Sequence, residues 1–258
     1  PEGNISDYSF SGNNSAVFFI ESASHLLDCA NSYFEYDIKV TDYDTTSITY
    51  ANEAMAVAIS EGSMSPFRQL YVTVAGTVVE DLRWVNLLQS VVESAVVDKD
   101  YATTVGGMEN MGPSMRRSQP FVLNVAGEHQ GTAITGGDAA VNNADGYLRL
   151  NETTRTVQTT AAQKGYKVIC NPISGILQHQ KSLPSPVMGP LRVEFVLENP
   201  ELVVMSGASN KSPTYSISNF RFVANWIEPD FDLMQVFVAQ IRRPDGMLLP
   251  YHTFQHNQ

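Results

Sequence analysis

Apolar and polar residues alternate along much of this chain. The clearest segment is Ser32–Val40, in which every second residue is apolar. One side of it carries Phe34, Tyr36, Ile38 and Val40. The other side carries Tyr33, Glu35, Asp37 and Lys39. Because successive side chains of a strand point to opposite faces, this period predicts a half-buried β-strand.

Many other short runs are rich in β-branched and aromatic residues and end at turn-forming residues such as Asn199–Pro200. They predict strands at Ala16–Ile20, Gln69–Val74, Phe121–Val125, Tyr147–Leu150, Tyr166–Cys170, Leu191–Leu197, Leu202–Met205, Tyr215–Ile217 and Phe220–Ile227. A chain with this many short strands is expected to form an all-β sandwich.

Two segments have the period of a helix instead. From Asp81 to Val97 the apolar residues recur every three or four positions, which traces one helical face. A weaker pattern of the same kind covers Asp230–Ile241, where the Asp230 carboxylate is expected to act as the N-cap. Two short helices among about ten strands favour a sandwich with elaborated loops over βαβ units.

The segment Gly127–Asn143 shows neither period and is rich in Gly, Ala and Thr. Such a composition offers little apolar area for packing, so we expect a long exposed loop that proteases cut before any strand.

Composition and charge narrow the functional classes. Apolar residues make up 43% of the chain, enough for a packed core, whereas charged residues make up only 17%, below the usual quarter. The net charge is −11, and the basic pairs Arg116–Arg117 and Arg242–Arg243 are isolated. Binding to nucleic acid depends on Lys and Arg that displace phosphate counterions, so direct nucleic-acid binding is not expected.

The two cysteines, Cys29 and Cys170, lie in apolar surroundings and are interpreted as buried free thiols, with one disulfide as the alternative. No window reaches the roughly 18 apolar residues of a membrane-spanning helix.

Motifs that carry chemistry are absent: there is no nucleophile elbow, no phosphate-binding loop and no dinucleotide-binding glycine pattern. His252 and His256 are four residues apart, a spacing that can hold a metal on a helix, but surface histidines are favoured because no further ligand is near. Glu228–Asp232 lacks the spacing of a calcium loop, and Asp42 and Asp44 favour a solvated turn.

The remaining histidines, His25, His129 and His179, have no acid–nucleophile partner at a recognised spacing. We therefore expect a non-enzymatic protein and assign no catalytic, cofactor-binding or metal-binding residue and no cofactor.

Three groups of segments, taken in order, carry a family resemblance. The early group comprises Val17–Ser22, Leu26–Asp28 and Ser32–Phe34. The middle group comprises Trp84–Leu88, Asp100–Tyr101 and Gly106–Met108. The late group, the most specific, comprises Leu183–Pro186, Gly189–Glu194 and Tyr215–Asn219. Together they resemble major capsid proteins of the double-jelly-roll lineage, found in eukaryotic DNA viruses, virophages and polinton-like viruses.

The resemblance implies an antiparallel, eight-stranded jelly-roll sandwich and a structural role in a virus particle. It implies assembly inside the host cell into homotrimeric capsomers, which contact neighbouring capsomers and, as further partners, minor capsid or penton proteins in an icosahedral shell. A β-sandwich binding module, such as a lectin-like or virion attachment domain, is the main alternative. A hydrolase built on a β-sandwich is the third, opposed by the missing catalytic residues.

The same resemblance suggests a division of the chain. Residues 1–227 are expected to form the jelly roll, and residues 228–258 a linking helix with the start of a possible second jelly roll. Because complete members of the family are about twice as long, the chain is interpreted either as a piece of a longer protein or as a single-roll relative.

Overall fold

The computed structural model describes residues 7–41, 57–59, 62–96, 166–206, 214–245 and 249–253. Its strands are β1 (Asp7–Ser9), β2 (Ser15–Ile20), β3 (Leu26–Thr41), β4 (Val57–Ile59), β5 (Phe67–Val74), β6 (Thr77–Arg83), β7 (Tyr166–Cys170), β8 (Leu191–Leu197), β9 (Val204–Ser206) and β10 (Thr214–Ile227). Its helices are α1 (Val85–Val96), α2 (Ser185–Met188), α3 (Pro200–Val203) and α4 (Phe231–Ile241).

Eight of these strands form two four-stranded antiparallel sheets. The first sheet has the order β1-β10-β3-β7 and the second the order β2-β8-β5-β6, while β4 and β9 form a separate pair. The strand pairs are nested along the chain. The innermost pair is β5 with β6, followed outward by β3 with β7, β2 with β8 and β1 with β10. A long hairpin rolled up in this way, with its strand pairs alternating between two sheets, is a jelly roll. The predicted all-β, eight-stranded jelly-roll sandwich is confirmed within the described ranges.

Aromatic side chains fill the space between the two sheets. Phe220 lies at the centre, with its ring centroid 4.8 Å from that of Phe18, 5.1 Å from that of Phe195 and 5.3 Å from that of Phe67. These three rings come from the second sheet, whereas Phe220 belongs to the first. Most pairs meet edge to face, the arrangement that the ring quadrupoles favour. The predicted apolar side of β3 contributes Phe34, Tyr36 and Ile38, each 1% exposed.

Strands β10 and β3 of the first sheet are longer than the sequence predicts, and their pairing contains two irregularities. The pattern separates Tyr215–Ile217 from Phe220–Ile227, but β10 runs through both, with a register shift at Asn219, whose φ is +51°. Asn tolerates this left-handed conformation, and the extra residue turns Phe220 into the core. Strand β3 begins at Leu26, six residues before the predicted strand Ser32–Val40. The Ser32 hydroxyl donates to the Asp28 carbonyl and accepts from the Asn225 amide.

The predicted helix Asp81–Val97 starts too early. Asp81 and Arg83 belong to β6, which pairs with β5 through a two-residue turn at Ala75 and Gly76, both with positive φ. Trp84, with φ of +56°, separates strand from helix, and α1 covers Val85–Val96. The sequence pattern missed β6 because one of its two buried positions is Glu80 rather than an apolar residue.

The predicted strand Leu202–Met205 is only partly correct. Asn199 caps the short helix α3 by accepting from the Glu201 amide, and Pro200 occupies its first position. The chain becomes a strand only at Val204. The strands predicted at Phe121–Val125 and Tyr147–Leu150 and the loop predicted at Gly127–Asn143 lie outside the described residues.

Candidate interaction surfaces

Helix α4 is largely apolar, with its polar residues Asp232, Gln235 and Gln240 on one side, and yet none of its residues is buried. Its sequence, FDLMQVFVAQI, begins after the Asp230 N-cap, whose carboxylate accepts from the Phe231 amide at 2.7 Å. Phe231 is 71% exposed, and Leu233, Val236, Val238 and Ile241 are also among the exposed large apolar residues. Exposed large apolar side chains that lie this close together are typical of a contact surface.

A groove with apolar walls lies at the opposite end of the sandwich. It has a volume of about 370 Å³ and is bounded by Trp84 and Leu87 of the α1 region and by Leu202 of α3. Leu87 is 61% exposed and Leu202 60%. Strand β8 runs from one end to the other. It starts just after α2, which contacts α4, and it ends at Leu197, next to the groove residue Glu198.

Helix α1 is held in place by one buried glutamine. The Gln89 side-chain amide donates to the Ser63 hydroxyl at 3.2 Å and to the Asn171 carbonyl at 3.1 Å, and its carbonyl accepts from the Ile173 amide at 3.1 Å. These bonds tie the helix to the loops before β5 and after β7. The wall of the groove formed by Leu87 therefore has a fixed position on the sandwich.

The residues that line the groove include a buried glutamate. Glu198 is 3% exposed, and its side chain accepts hydrogen bonds from the Asn86 amide group at 3.1 Å and from the Asn199 backbone amide at 2.8 Å. Both donors are neutral, and the ion pairs among the described residues do not include Glu198. Ser65 also lines the groove, and its hydroxyl is buried and has no hydrogen-bond partner in the described part of the chain.

A second buried carboxylate, Glu80, anchors the segment Leu249–Thr253. Its carboxylate accepts from the Ser174 hydroxyl, from the Gly175 amide at 2.8 Å and from the Thr253 side chain. The Tyr251 hydroxyl donates to the Val79 carbonyl at 3.0 Å. Residues 249–253 thus lie against edge strand β6, and burial raises the pKa of Glu80 because its charged form loses hydration.

Replacing Glu80 with glutamine should remove a pH dependence of stability. A pKa higher in the folded than in the unfolded chain means that the folded chain binds more protons between the two values, so the free energy of unfolding falls as pH rises through that interval. The interval begins at the ordinary glutamate value of 4.5. Denaturant titrations at several pH values measure the free energy of unfolding of both proteins. From that pH upward, we expect the free energy of unfolding of Glu80→Gln to rise relative to that of the wild type, and the difference to become constant at higher pH. Glu21→Gln, at an exposed position, is the control. If the difference in the free energy of unfolding between Glu80→Gln and the wild type did not change with pH, the raised pKa of Glu80 would be contradicted.

A third buried carboxylate, Glu35, lies on the predicted polar side of β3. It is 7% exposed and forms ion pairs with Arg221 of β10 and, at 3.4 Å, with Lys167 of β7. Burial raises its pKa, but the two cations outweigh that effect and leave the pKa below its usual value. Glu35 therefore joins three neighbouring strands across the outer face of the first sheet.

The predicted histidine positions do not converge. His25 contacts the hydroxyls of Ser24 and Ser22, and His179 contacts the Lys181 and Pro250 carbonyls, while His129 and His256 lie outside the described residues. The carbonyl of His252 packs against Gly175. At no place in the described ranges do three or more His, Cys, Asp or Glu side chains come together in a way that could hold a metal ion.

The other predicted positions have simple structural roles. The N-cap predicted at Asp230 is confirmed, and Cys29 and Cys170 are, as predicted, buried thiols that form no disulfide. Arg242 and Arg243 follow α4 and are exposed, whereas Arg116–Arg117, Asp42 and Asp44 lie outside the described residues. None of the helices in the described ranges has the length and apolarity to cross a bilayer.

Sequence patterns alone missed Glu80, Glu198 and the groove. Each glutamate has the polarity of a surface residue, and the residues that bury it are distant in the chain, as with Glu80 and Ser174. The sequence offers one signal for Glu198. This glutamate follows the predicted strand Leu191–Leu197 directly, before the turn at Asn199–Pro200.

No family model matches the chain, and no curated protein matches it. The chain is similar to the crystal structure of mavirus major capsid protein, at 8% sequence identity and a TM-score of 0.40. The match covers 89% of this chain and 47% of that protein, so this chain spans about half its length. That protein is a major capsid protein, the class of protein that the sequence resemblance names.

Proposed function

We propose that this chain is a structural subunit of a viral capsid, that it assembles through its own surfaces into homotrimeric capsomers, and that these form an icosahedral shell in the virion. The observation that carries the proposal is the exposed apolar surface of α4 on an otherwise well-packed jelly roll. Contact surfaces of assembling proteins are depleted in charge and rich in large apolar residues, and α4 carries one charged residue, Asp232, within its eleven positions.

The sandwich itself suits this role. Its two sheets enclose a dense aromatic core, and the loops and helices gather at the two ends of β8. A rigid block with contact surfaces at its ends can meet copies of itself repeatedly, whereas a catalyst needs a reactive group with an oriented base. In the same proposal, residues 1–227 form the jelly roll and residues 228–258 link it to further structure. Minor capsid or penton proteins are proposed as additional partners.

A binding module on the same fold is the alternative, and one observation favours it: the groove beside α1, whose lining includes the buried Glu198. Fold alone does not distinguish a capsid subunit from a lectin-like domain. Binding of a glycan to this groove by a chain that stays monomeric would support the alternative.

Polar substitutions on α4 should weaken self-association without unfolding the chain. In the double variant Phe231→Ser/Val236→Ser, both changed side chains are more than half exposed, so the melting temperature should stay close to that of the wild type. The association constant from sedimentation velocity should fall more than about tenfold, since apolar anchors dominate contact energies. Val78→Ser, at a 57% exposed position on β6, is the control and should leave association unchanged. Equal association of all three proteins would exclude α4 as a contact surface.

A further inference from the structure

We infer that the groove between α1 and α3 is a receptor for a basic side chain, and that its occupant is Arg242 or Arg243 at the end of α4 in a second copy of this chain. The inference rests on the proposed self-assembly and names the two surfaces that meet.

The groove is built for a cation on an apolar stem. Trp84, Leu87 and Leu202 give it apolar surface, and the buried residue Glu198 is also part of its lining. Glu198 is 3% exposed, and the side-chain hydrogen bonds and ion pairs of the described residues bring it neutral donors but no cation. A buried carboxylate without a counter-ion favours a cationic partner. The buried Ser65 hydroxyl, which lacks a partner among the described residues, adds an unused hydrogen-bonding group in the same groove. A guanidinium group can satisfy both a carboxylate and a hydroxyl because it has five N–H donors.

The C-terminal end of α4 presents the complementary chemistry. Arg242 and Arg243 are exposed, and within the described ranges their side chains form no ion pair. They directly follow an apolar helix whose large side chains are themselves exposed. An apolar helix ending in two arginines therefore matches a groove with apolar walls and a buried carboxylate in both polarity and charge.

The two surfaces of one chain cannot meet each other. Ile241 packs beside Val187 and Met188, just before β8, whereas the groove lies beyond the other end of that strand. Seven residues of strand separate them by about 20 Å. The helix of one copy can fill only the groove of another, which makes a head-to-tail contact. Contacts of this kind close into rings when the rotation between copies permits, and a trimer is such a ring.

Disulfide trapping tests the contact directly. Chains carrying Leu87→Cys are mixed with chains carrying Val238→Cys, which leaves the arginines and Glu198 in place; the native Cys29 and Cys170 are buried. Under mild oxidation we expect a cross-linked heterodimer from this mixture. Val78→Cys in place of Leu87→Cys is the control and should give none.

A double-mutant comparison tests the charge pair. Glu198→Gln and Arg242→Gln/Arg243→Gln should each weaken self-association about tenfold, and their combination should weaken it little further, because both remove the same interaction. The arginine variant changes only exposed side chains, so it reports on the contact even if Glu198→Gln affects folding.

The outcomes separate this inference from the proposed function. Wild-type association that neither variant changes, with no cross-link, overturns the pairing of groove and arginines but leaves self-assembly standing. A wild-type chain that is monomeric at every concentration overturns both. If the arginine variant instead loses binding to anionic lipid vesicles while its self-association is unchanged, the partner of α4 is a membrane surface and the inference is wrong.

Discussion

Replacing Phe220 with alanine lowers the free energy of unfolding by about 3–5 kcal/mol, the range found for removal of a buried aromatic side chain. The side chain is 3% exposed and its ring contacts rings of both sheets, among them Phe18, Phe34 and Phe195. Its loss leaves a cavity where the sheets face each other, and close-packed neighbours refill such a space only in part. Chemical denaturation followed by intrinsic fluorescence measures the change.

Phe19→Ala is the matched control for this prediction. Phe19 lies next to Phe18 on β2 but points outward and is 48% exposed, so its removal should cost less than about 1 kcal/mol. If Phe220→Ala and Phe19→Ala lowered the free energy of unfolding by similar amounts, Phe220 would not be at the centre of the core, and the register of β10 past Asn219 would be wrong.

Replacing Gly175 with alanine detaches the segment Leu249–Thr253 from the sandwich. A Cβ atom at residue 175 would lie 1.6 Å from the carbonyl oxygen of His252 and 2.6 Å from its carbonyl carbon, both backbone atoms that cannot rotate away. The clash should cost about 2–3 kcal/mol, in the range known for overpacked sites. It should also break the hydrogen bonds from Tyr251 to Val79 and from Thr253 to Glu80.

Hydrogen exchange followed by mass spectrometry measures this detachment. Amides of the Leu249–Thr253 segment should exchange faster in Gly175→Ala, while those of β8 keep their protection. Gly12→Ala is the control, because the nearest atom to its added Cβ is the hydroxyl of Ser9, at the end of a side chain that can turn away. Unchanged protection of the segment in Gly175→Ala would contradict its contact with the Ser174–Gly175 loop.

The sequence predicted the strands whose two faces differ in polarity. Tyr166–Cys170 and Leu191–Leu197 agree with the structure to the residue, because a strand with one face in the core must alternate. The pattern did not find β6, since Glu80 occupies one of its inward positions, and it divided β10 at Asn219, where a bulge shifts the alternation by one residue. Bulges and buried charges depend on partners far away in the chain, which a local pattern does not contain.

The interaction surfaces could be predicted in part. The sequence located helix α4 and its N-cap, because both are set by residues close together in the chain. Its exposure could not be predicted, since an apolar helix looks the same in sequence whether its own chain or another copy covers it. The groove depends on Trp84, Glu198 and Leu202, which come together only when β8 returns beside β5 and places α3 against the start of α1.

Sedimentation equilibrium of the unmodified chain over a wide range of concentrations tests self-assembly most directly. The measured mass should rise from that of the 28.4 kDa chain to three times that value and fit a monomer–trimer equilibrium. Larger particles should appear only above the concentration at which the trimer saturates. A chain that sediments as a monomer at the highest concentration would contradict the proposal that this jelly roll is a capsid subunit.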